Sequence, residues 1–97
     1  MTSQRARAYA RVMKTLRDVG PAKLRSSEQA VTRVAADSLL FCADIVNDRA
    51  ARAAFSDFDA MREHLVATGR WTGQSAARLA DDLWACGPAF DTALRAA

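Results

Sequence analysis

The sequence predicts an all-α protein: a small helical bundle of four main helices plus one or two short helices, mostly antiparallel. Apolar residues recur every three or four positions through most of the chain, which is the spacing of one helix face. Alanine, the strongest helix former, supplies 22 of the 97 residues, and no segment alternates apolar and polar side chains as a strand would. The glycines and prolines fall where these periodic patterns stop, as expected of helix ends.

The first helix is predicted from about Ser3 to Val19. Cations gather on one side of it, and apolar side chains gather on the other. Gly20 is expected to end this helix, and Pro21 to prevent its continuation. The apolar face consists of Tyr9, Val12, Met13, Leu16 and Val19.

A second helix is predicted from Ser26 to about Val46. Ser26 with Gln29 three residues later matches a capping box, in which each side chain satisfies a free backbone donor. Leu40 widens the apolar stripe beyond one face, so we expect this to be the most buried helix, at the centre of the bundle. Its apolar set is Val31, Val34, Ala35, Leu39, Phe41, Cys42, Ile45 and Val46.

A third main helix and a shorter preceding one are predicted after this segment. Asn47 and Asp48 are expected to end the second helix and to cap an alanine-rich turn or helix over residues 49–55. Ser56 with Asp59 repeats the capping pattern, so a separate helix should run from there to about Thr68.

The fourth main helix is predicted from a cap at Thr72 to about Cys86. Gly87 and Pro88 should end it and open a short last helix. That short helix would hold Phe90, Ala93 and Leu94.

The length of the chain allows one domain, residues 1–97, with a thin core. Apart from alanine, cysteine and the first methionine, only 24 larger apolar or aromatic side chains are available. So few must hold four helices together that we expect the chain to self-associate as a homo-oligomer.

Charge is unevenly distributed along the chain. Residues 1–33 hold eight cations and two acids, and residues 34–97 hold six cations and nine acids, so the first third is +6 and the rest −3. The basic face suits an anionic partner, the acidic remainder of this chain or of a second copy, or simply solvent. Arg7, Arg11 and Lys14 form a ridge that could follow phosphates. The whole predicted face is Arg7, Arg11, Lys14, Arg17, Lys23 and Arg25.

Two further features are candidate partner contacts. Asp37, Asp44 and Asp48 repeat at helical spacing, which would place their carboxylates close together on the second helix as a solvated or ion-pairing stripe. Trp71 lies in a predicted loop between two helices, where burial at the end of the bundle is favoured over an exposed anchor for a partner.

The sequence offers little for catalysis or metal binding. His64 is the single histidine, and a solvated position on its helix is favoured. Cys42 and Cys86 lie in helical patterns and suit buried, reduced thiols. We therefore predict no enzyme activity, no cofactor, no metal and no small-molecule substrate. No apolar run is long enough to span a bilayer, and the expected location is the cytoplasm.

These features predict a non-enzymatic interaction or accessory subunit. It would bind a protein partner, or itself, through charged helix faces. The alternative is sequence-independent binding of DNA or RNA by the basic first helix, with an affinity that falls steeply as salt rises.

Overall fold

The computed structural model describes residues 3–88 of the chain, and this part is an all-α bundle. No strand occurs in this range. Its helices are α1 (Ser3–Lys23), α2 (Ser26–Leu40), α3 (Arg49–Ala67) and α4 (Gly73–Ala85). The predicted fold class is confirmed. None of the helices in this range is long and apolar enough to cross a membrane.

Neighbouring helices run in opposite directions. The side chain of Arg5, at the start of α1, contacts both the end of α2 and the end of α4. Arg70, just after α3, reaches Glu28 in the first turn of α2. Among the described helices, α2 and α4 each contact all three others, and α1 and α3 do not contact one another. The expected central position of α2 is therefore correct, although α4 shares it.

The core is built from a few large side chains separated by alanines. Val12, Leu39, Phe58 and Leu83, one from each helix, are fully buried. Trp84 borders this core and meets the Phe55 ring edge-on, with ring centroids 5.0 Å apart. Alanine occupies many of the other buried positions and lets the helices approach closely: Ala8, Ala35, Ala36, Ala51, Ala54, Ala76 and Ala80 are all buried.

The first helix does not end at Gly20, because α1 continues through Pro21 to Lys23. Leu24 follows the helix directly and is buried in the core. A proline inside a helix costs about 3 kcal/mol, and burial of a leucine side chain gains about 1.5–3 kcal/mol. The additional turn thus carries Leu24 to the core at little net cost.

The second helix begins as predicted but ends at Leu40 rather than near Val46. Its N-cap is Arg25, one residue before the predicted cap, and the Glu28 carboxylate accepts the Arg25 N–H at 2.7 Å. Glu28 thus takes the place assigned to Gln29, whose side-chain amide instead donates to the Leu24 carbonyl.

The two helices predicted between residues 49 and 68 are one continuous helix, α3. Asp48 caps it, and its carboxylate accepts the Ala51 N–H at 2.9 Å. Ala51, Ala54 and Phe58 lie on a single buried face that passes the predicted break. Ser56 is exposed inside the helix and caps nothing, because the shared core face makes a second helix start unnecessary.

The fourth helix is confirmed. Thr72 caps it, and its hydroxyl accepts the Ser75 N–H at 3.1 Å. The helix ends at Ala85 with Cys86 as its C-cap, close to the predicted end. The predicted last helix, with Phe90, Ala93 and Leu94, lies outside the described residues.

Candidate interaction surfaces

The outward side of α1 carries the predicted basic ridge. Arg7, Arg11 and Lys14 are all exposed. The Arg11 guanidinium lies 2.9 Å from a carboxylate oxygen of Asp82 on α4, and the Lys14 ammonium lies 3.2 Å from Asp18. Within residues 3–88, Arg7 makes no ion pair. Two acids, Asp18 and Asp82, thus lie beside the three cations of the ridge.

Three further cations of the predicted basic face surround the ridge or follow it. Arg17 is exposed on α1, and Lys23 and Arg25 are exposed where α1 joins α2. Exposed ion pairs contribute little to stability, about 0–1 kcal/mol each, so a stronger anionic partner could displace them. Whether this face meets a partner stays a prediction.

Arg5 takes no part in this exposed face. Its Nε donates to the Cys86 carbonyl at 2.8 Å, and its Nη2 lies 2.8 Å from the Leu39 carbonyl, 2.9 Å from that of Leu40 and 2.8 Å from that of Cys42. The last carbonyls of a helix have no partner within the helix and carry partial negative charge. One guanidinium therefore closes the ends of both α2 and α4.

The position of Arg5 in the helix pattern indicates this contact with the helix ends, although a count of charges along the chain does not. Arg5 precedes Ala8 by three residues and Val12 by seven, and both of these are buried. It therefore lies on the apolar side of α1, whereas Arg7 projects to the opposite side. A cation placed on a core face has to find acceptors inside the fold.

The expected acidic stripe does not form, because α2 ends before two of its three members. Asp37 remains on α2, where its carboxylate accepts the Tyr9 hydroxyl at 2.7 Å and thereby raises the pKa of that hydroxyl. Asp44 accepts the Val46 N–H at 3.1 Å and closes a turn. Asp48 caps α3. Asp37 and Asp44 are exposed, and their contact with a partner stays a prediction.

Trp71 is buried, as favoured, with 8% of its surface exposed. It packs at one end of the bundle beside an open cleft of about 220 Å³ between α1 and α4. The Lys14 and Asp18 side chains that line this cleft pair with each other. Trp71 is therefore a core residue rather than an exposed anchor, and a contact between Trp71 and a partner stays a prediction.

Arg70 is a second partly buried arginine whose contacts the sequence did not predict. Arg70 binds both carboxylate oxygens of Glu28, at 2.8 and 2.9 Å, and donates to the Lys23 carbonyl at 3.1 Å. The hydrogen bond from Arg70 lowers the pKa of Glu28. This contact ties the loop after α3 to the α1–α2 junction, and its two residues lie 42 positions apart, so no local pattern could have indicated it.

The exposure of large apolar side chains near the end of α2 differs most from what the sequence predicts. Three side chains assigned to the buried stripe of α2 are exposed: 79% of Phe41, 56% of Val46 and 55% of Val34. Val34 and Phe41 are seven residues apart, so they share one side of α2, opposite the buried Leu39. We call Val34, Phe41 and Val46 the Phe41 surface. The expected buried stripe therefore does not extend over these three residues, and α2 buries four residues, as many as α3 and α4 each do.

The thiols of Cys42 and Cys86 and the imidazole of His64 do not form a reactive group of side chains. Cys42 and Cys86 are buried free thiols, and burial raises the pKa of both, that of Cys86 to about 11. His64 is exposed on α3, as favoured. In the range from residue 3 to residue 88, no three histidine, cysteine or acidic side chains form a group that could hold a metal ion.

Comparison with known proteins found no matching family model, no similar curated protein and no similar solved structure.

Proposed function

We propose that this protein is a non-enzymatic interaction subunit that binds a protein partner, or a second copy of itself, through the Phe41 surface. The observation that carries the proposal is the exposure of Phe41. A chain with few large apolar residues leaves 79% of this ring in contact with water. Isolated exposed apolar residues are common, but here an aromatic residue and two valines are exposed within the short stretch from Val34 to Val46.

The composition of the surface is that of a protein interface. Phe41 is an exposed aromatic residue, and two exposed valines and the exposed carboxylates of Asp37 and Asp44 are close to it in sequence. Interfaces commonly have an apolar centre with aromatic anchors and a polar rim. Burial of a phenylalanine side chain gains about 1.5–3 kcal/mol, so Phe41 could supply much of the affinity.

The charged helix faces have a supporting role in this proposal. Rim charges mainly raise the rate of encounter and exclude wrong partners, whereas buried apolar contacts supply affinity. The exposed cations of α1, with Arg7 as the example that makes no ion pair within residues 3–88, would guide an acidic partner towards the protein.

Two observations favour a binding role over catalysis. The thiols of Cys42 and Cys86 are buried with raised pKa values, which keeps them protonated and unreactive at neutral pH. His64 is exposed on its helix, whereas both thiols are buried. We therefore propose a protein without enzyme activity, cofactor or small-molecule substrate, acting in the cytoplasm.

Nucleic-acid binding is the competing proposal, favoured by the exposed arginines Arg7 and Arg17. The carboxylates of Asp18 and Asp82 weaken it, because they lie beside the ridge cations that would contact phosphates. It predicts a complex that dissociates steeply with salt and is weakened by Arg7→Glu.

The deciding experiment purifies the full chain at low salt from the cells that produce it. Light scattering and the ratio of absorbance at nucleic-acid and protein wavelengths are then compared between wild type and Phe41→Ser. We expect a protein complex heavier than the 10.5 kDa chain that Phe41→Ser breaks. Val66→Ser is the matched control, since Val66 is an exposed valine on α3, and this variant should leave the complex intact.

A monomer in the wild type, or a complex that both serine variants leave unchanged, would contradict the proposal. Copurified nucleic acid that is lost with Arg7→Glu and retained with Phe41→Ser would establish the competing one.

A further inference from the structure

Phe41 and Val34 are the two large apolar members of a longer row of exposed residues on α2 and its C-cap. Successive members of this row are three or four positions apart, which keeps them on one side of a helix. Buried residues of α2, such as Ala35 and Leu39, lie on the other side. The same spacing lets two helices pack side by side. We call the row the α2 stripe, and its members are Ser27, Ala30, Val34, Asp37 and Phe41, all of them exposed.

The α2 stripe has small side chains at one end and a large one at the other. Ser27 and Ala30 lie near the start of α2, and Phe41, with 79% of its surface exposed, follows its end. A parallel pairing of two copies would set Phe41 against Phe41 and leave a gap between the alanines. An antiparallel pairing sets Phe41 of each copy against Ala30 of the other, so that large and small side chains fill the space together. The size gradient therefore favours antiparallel pairing of α2 with itself.

One edge of the α2 stripe carries a cation and an acid. Arg33 and Asp37 are four positions apart, so they share this edge, and both are exposed. They do not pair with each other: the Asp37 carboxylate accepts the Tyr9 hydroxyl at 2.7 Å, and Arg33 makes no ion pair within residues 3–88. The edge therefore offers one charge of each sign to a second molecule.

We propose that the Phe41 surface binds a second copy of this chain, by antiparallel pairing of α2 with α2 about a two-fold axis. When Phe41 of one copy lies opposite Ala30 of the other, Asp37 comes opposite Val34 of the other copy, one position from Arg33. In such a pair the same edges of the two helices meet, and the symmetry forms every contact twice. Arg33 of each copy thus lies beside Asp37 of the other. Apolar packing and charge are satisfied in one register, which is why a second copy is the favoured occupant.

This inference rests on the proposed function, because it names the partner of the Phe41 surface. The test begins with sedimentation velocity of the purified full chain, from micromolar to submillimolar concentration. We expect a reversible dimer of the 10.5 kDa chain.

Charge reversal then tests the pairing itself. Arg33→Glu brings two acids together at each contact, and Asp37→Lys brings two cations together, so each variant should dimerise roughly tenfold more weakly than wild type. An equimolar mixture of the two variants should regain the wild-type affinity, because every contact then joins an acid to a cation. This gain also shows that both variants are folded.

Two control variants accompany the charge reversals. Arg7→Glu makes the same change of charge on the outward side of α1 and should leave the dimer unchanged. Tyr9→Phe removes the hydrogen bond to Asp37 without changing a charge, and should also leave the dimer unchanged.

A monomer at all these concentrations would overturn the inference, and so would a mixture that dimerises no better than its two components. Failure of the proposed function gives different results. If the chain alone is a monomer and Phe41→Ser breaks a complex with a different protein, the inference fails alone. If the mixture regains the dimer and Phe41→Ser leaves both the dimer and every other complex intact, the pairing of α2 stands and the proposed function fails alone.

Discussion

Arg5 and Arg7 are two residues apart on the same helix and have opposite roles. Arg5 is partly buried and binds four carbonyl groups at the ends of α2 and α4. Arg7 is exposed on the outward side of α1. A helix turns through about 100° per residue, so a shift of two positions moves a cation from the core side to the solvent side. The comparison teaches that a net charge says little about a surface until each charge has been assigned to a helix face.

The largest expected effect comes from Arg5→Ala. Hydrogen bonds to a charged group contribute about 1.5–3 kcal/mol each, and the loss of this group leaves several carbonyls without a partner. We expect the free energy of unfolding to fall by about 3 kcal/mol in urea titration, since more than one such hydrogen bond is lost at a partly buried site.

Arg7→Ala is the control for that prediction. Substitutions at exposed positions usually change stability by less than about 0.5 kcal/mol. Equal losses for the two variants would contradict the separate roles of Arg5 and Arg7, as would full stability of Arg5→Met, which retains volume but donates no hydrogen bond.

The pair of Arg70 and Glu28 extends the comparison to a second internal arginine and should have an intermediate effect. Because the pKa of Glu28 is lowered in the folded state, its contribution is present above the pKa of the unfolded chain, about 4.3, and is lost as pH falls through the folded value. We expect Glu28→Gln to reduce the free energy of unfolding by about 1–2 kcal/mol at neutral pH.

The difference between wild type and Glu28→Gln should narrow as the pH falls below 4, since the wild-type carboxylate then becomes protonated. Urea titrations at several pH values measure this convergence. A difference that stays constant down to the lowest accessible pH would show that the charge of Glu28 is unimportant.

The smallest expected effect concerns the start of α3. Asp48→Ala removes an N-cap and should cost about 1 kcal/mol of stability. Ser56→Ala changes the residue that the sequence pattern marked as a helix start, and should cost nothing or stabilise slightly, because alanine is the better helix former inside a helix. Thermal unfolding of both variants measures the contrast; a larger loss for Ser56→Ala would support two separate helices.

The sequence was sufficient to predict the fold class, because helix periodicity and capping are local. The start of α4 shows this: the Thr72 hydroxyl caps its helix as the pattern indicates. The end of α2 could not be predicted, because the Arg5 guanidinium that binds its carbonyls comes from 34 or more positions earlier in the chain. Without that contact, the apolar residues up to Val46 favour a continued helix.

The candidate surfaces were predicted with less success for the same reason. Hydrophobicity placed Phe41, Val34 and Val46 in the core, yet the helix wheel puts Val34 and Phe41 opposite Leu39, and only the packed structure shows which side is buried. Trp71 was correctly favoured as buried. The basic ridge is exposed as predicted. The pair of Lys14 and Asp18 follows from their spacing of four residues on one helix, whereas the pair of Arg11 and Asp82 depends on the packing of α1 against α4.

We propose that the Phe41 surface supplies the affinity for a protein partner. The most direct measurement is the dissociation constant of the copurified partner for the Phe41→Ser variant, relative to Val66→Ser. Removal of a central aromatic anchor typically costs at least about 2 kcal/mol of binding energy, so we predict an affinity roughly thirtyfold weaker for Phe41→Ser and an unchanged one for Val66→Ser. Equal dissociation constants for the two variants would contradict the claim.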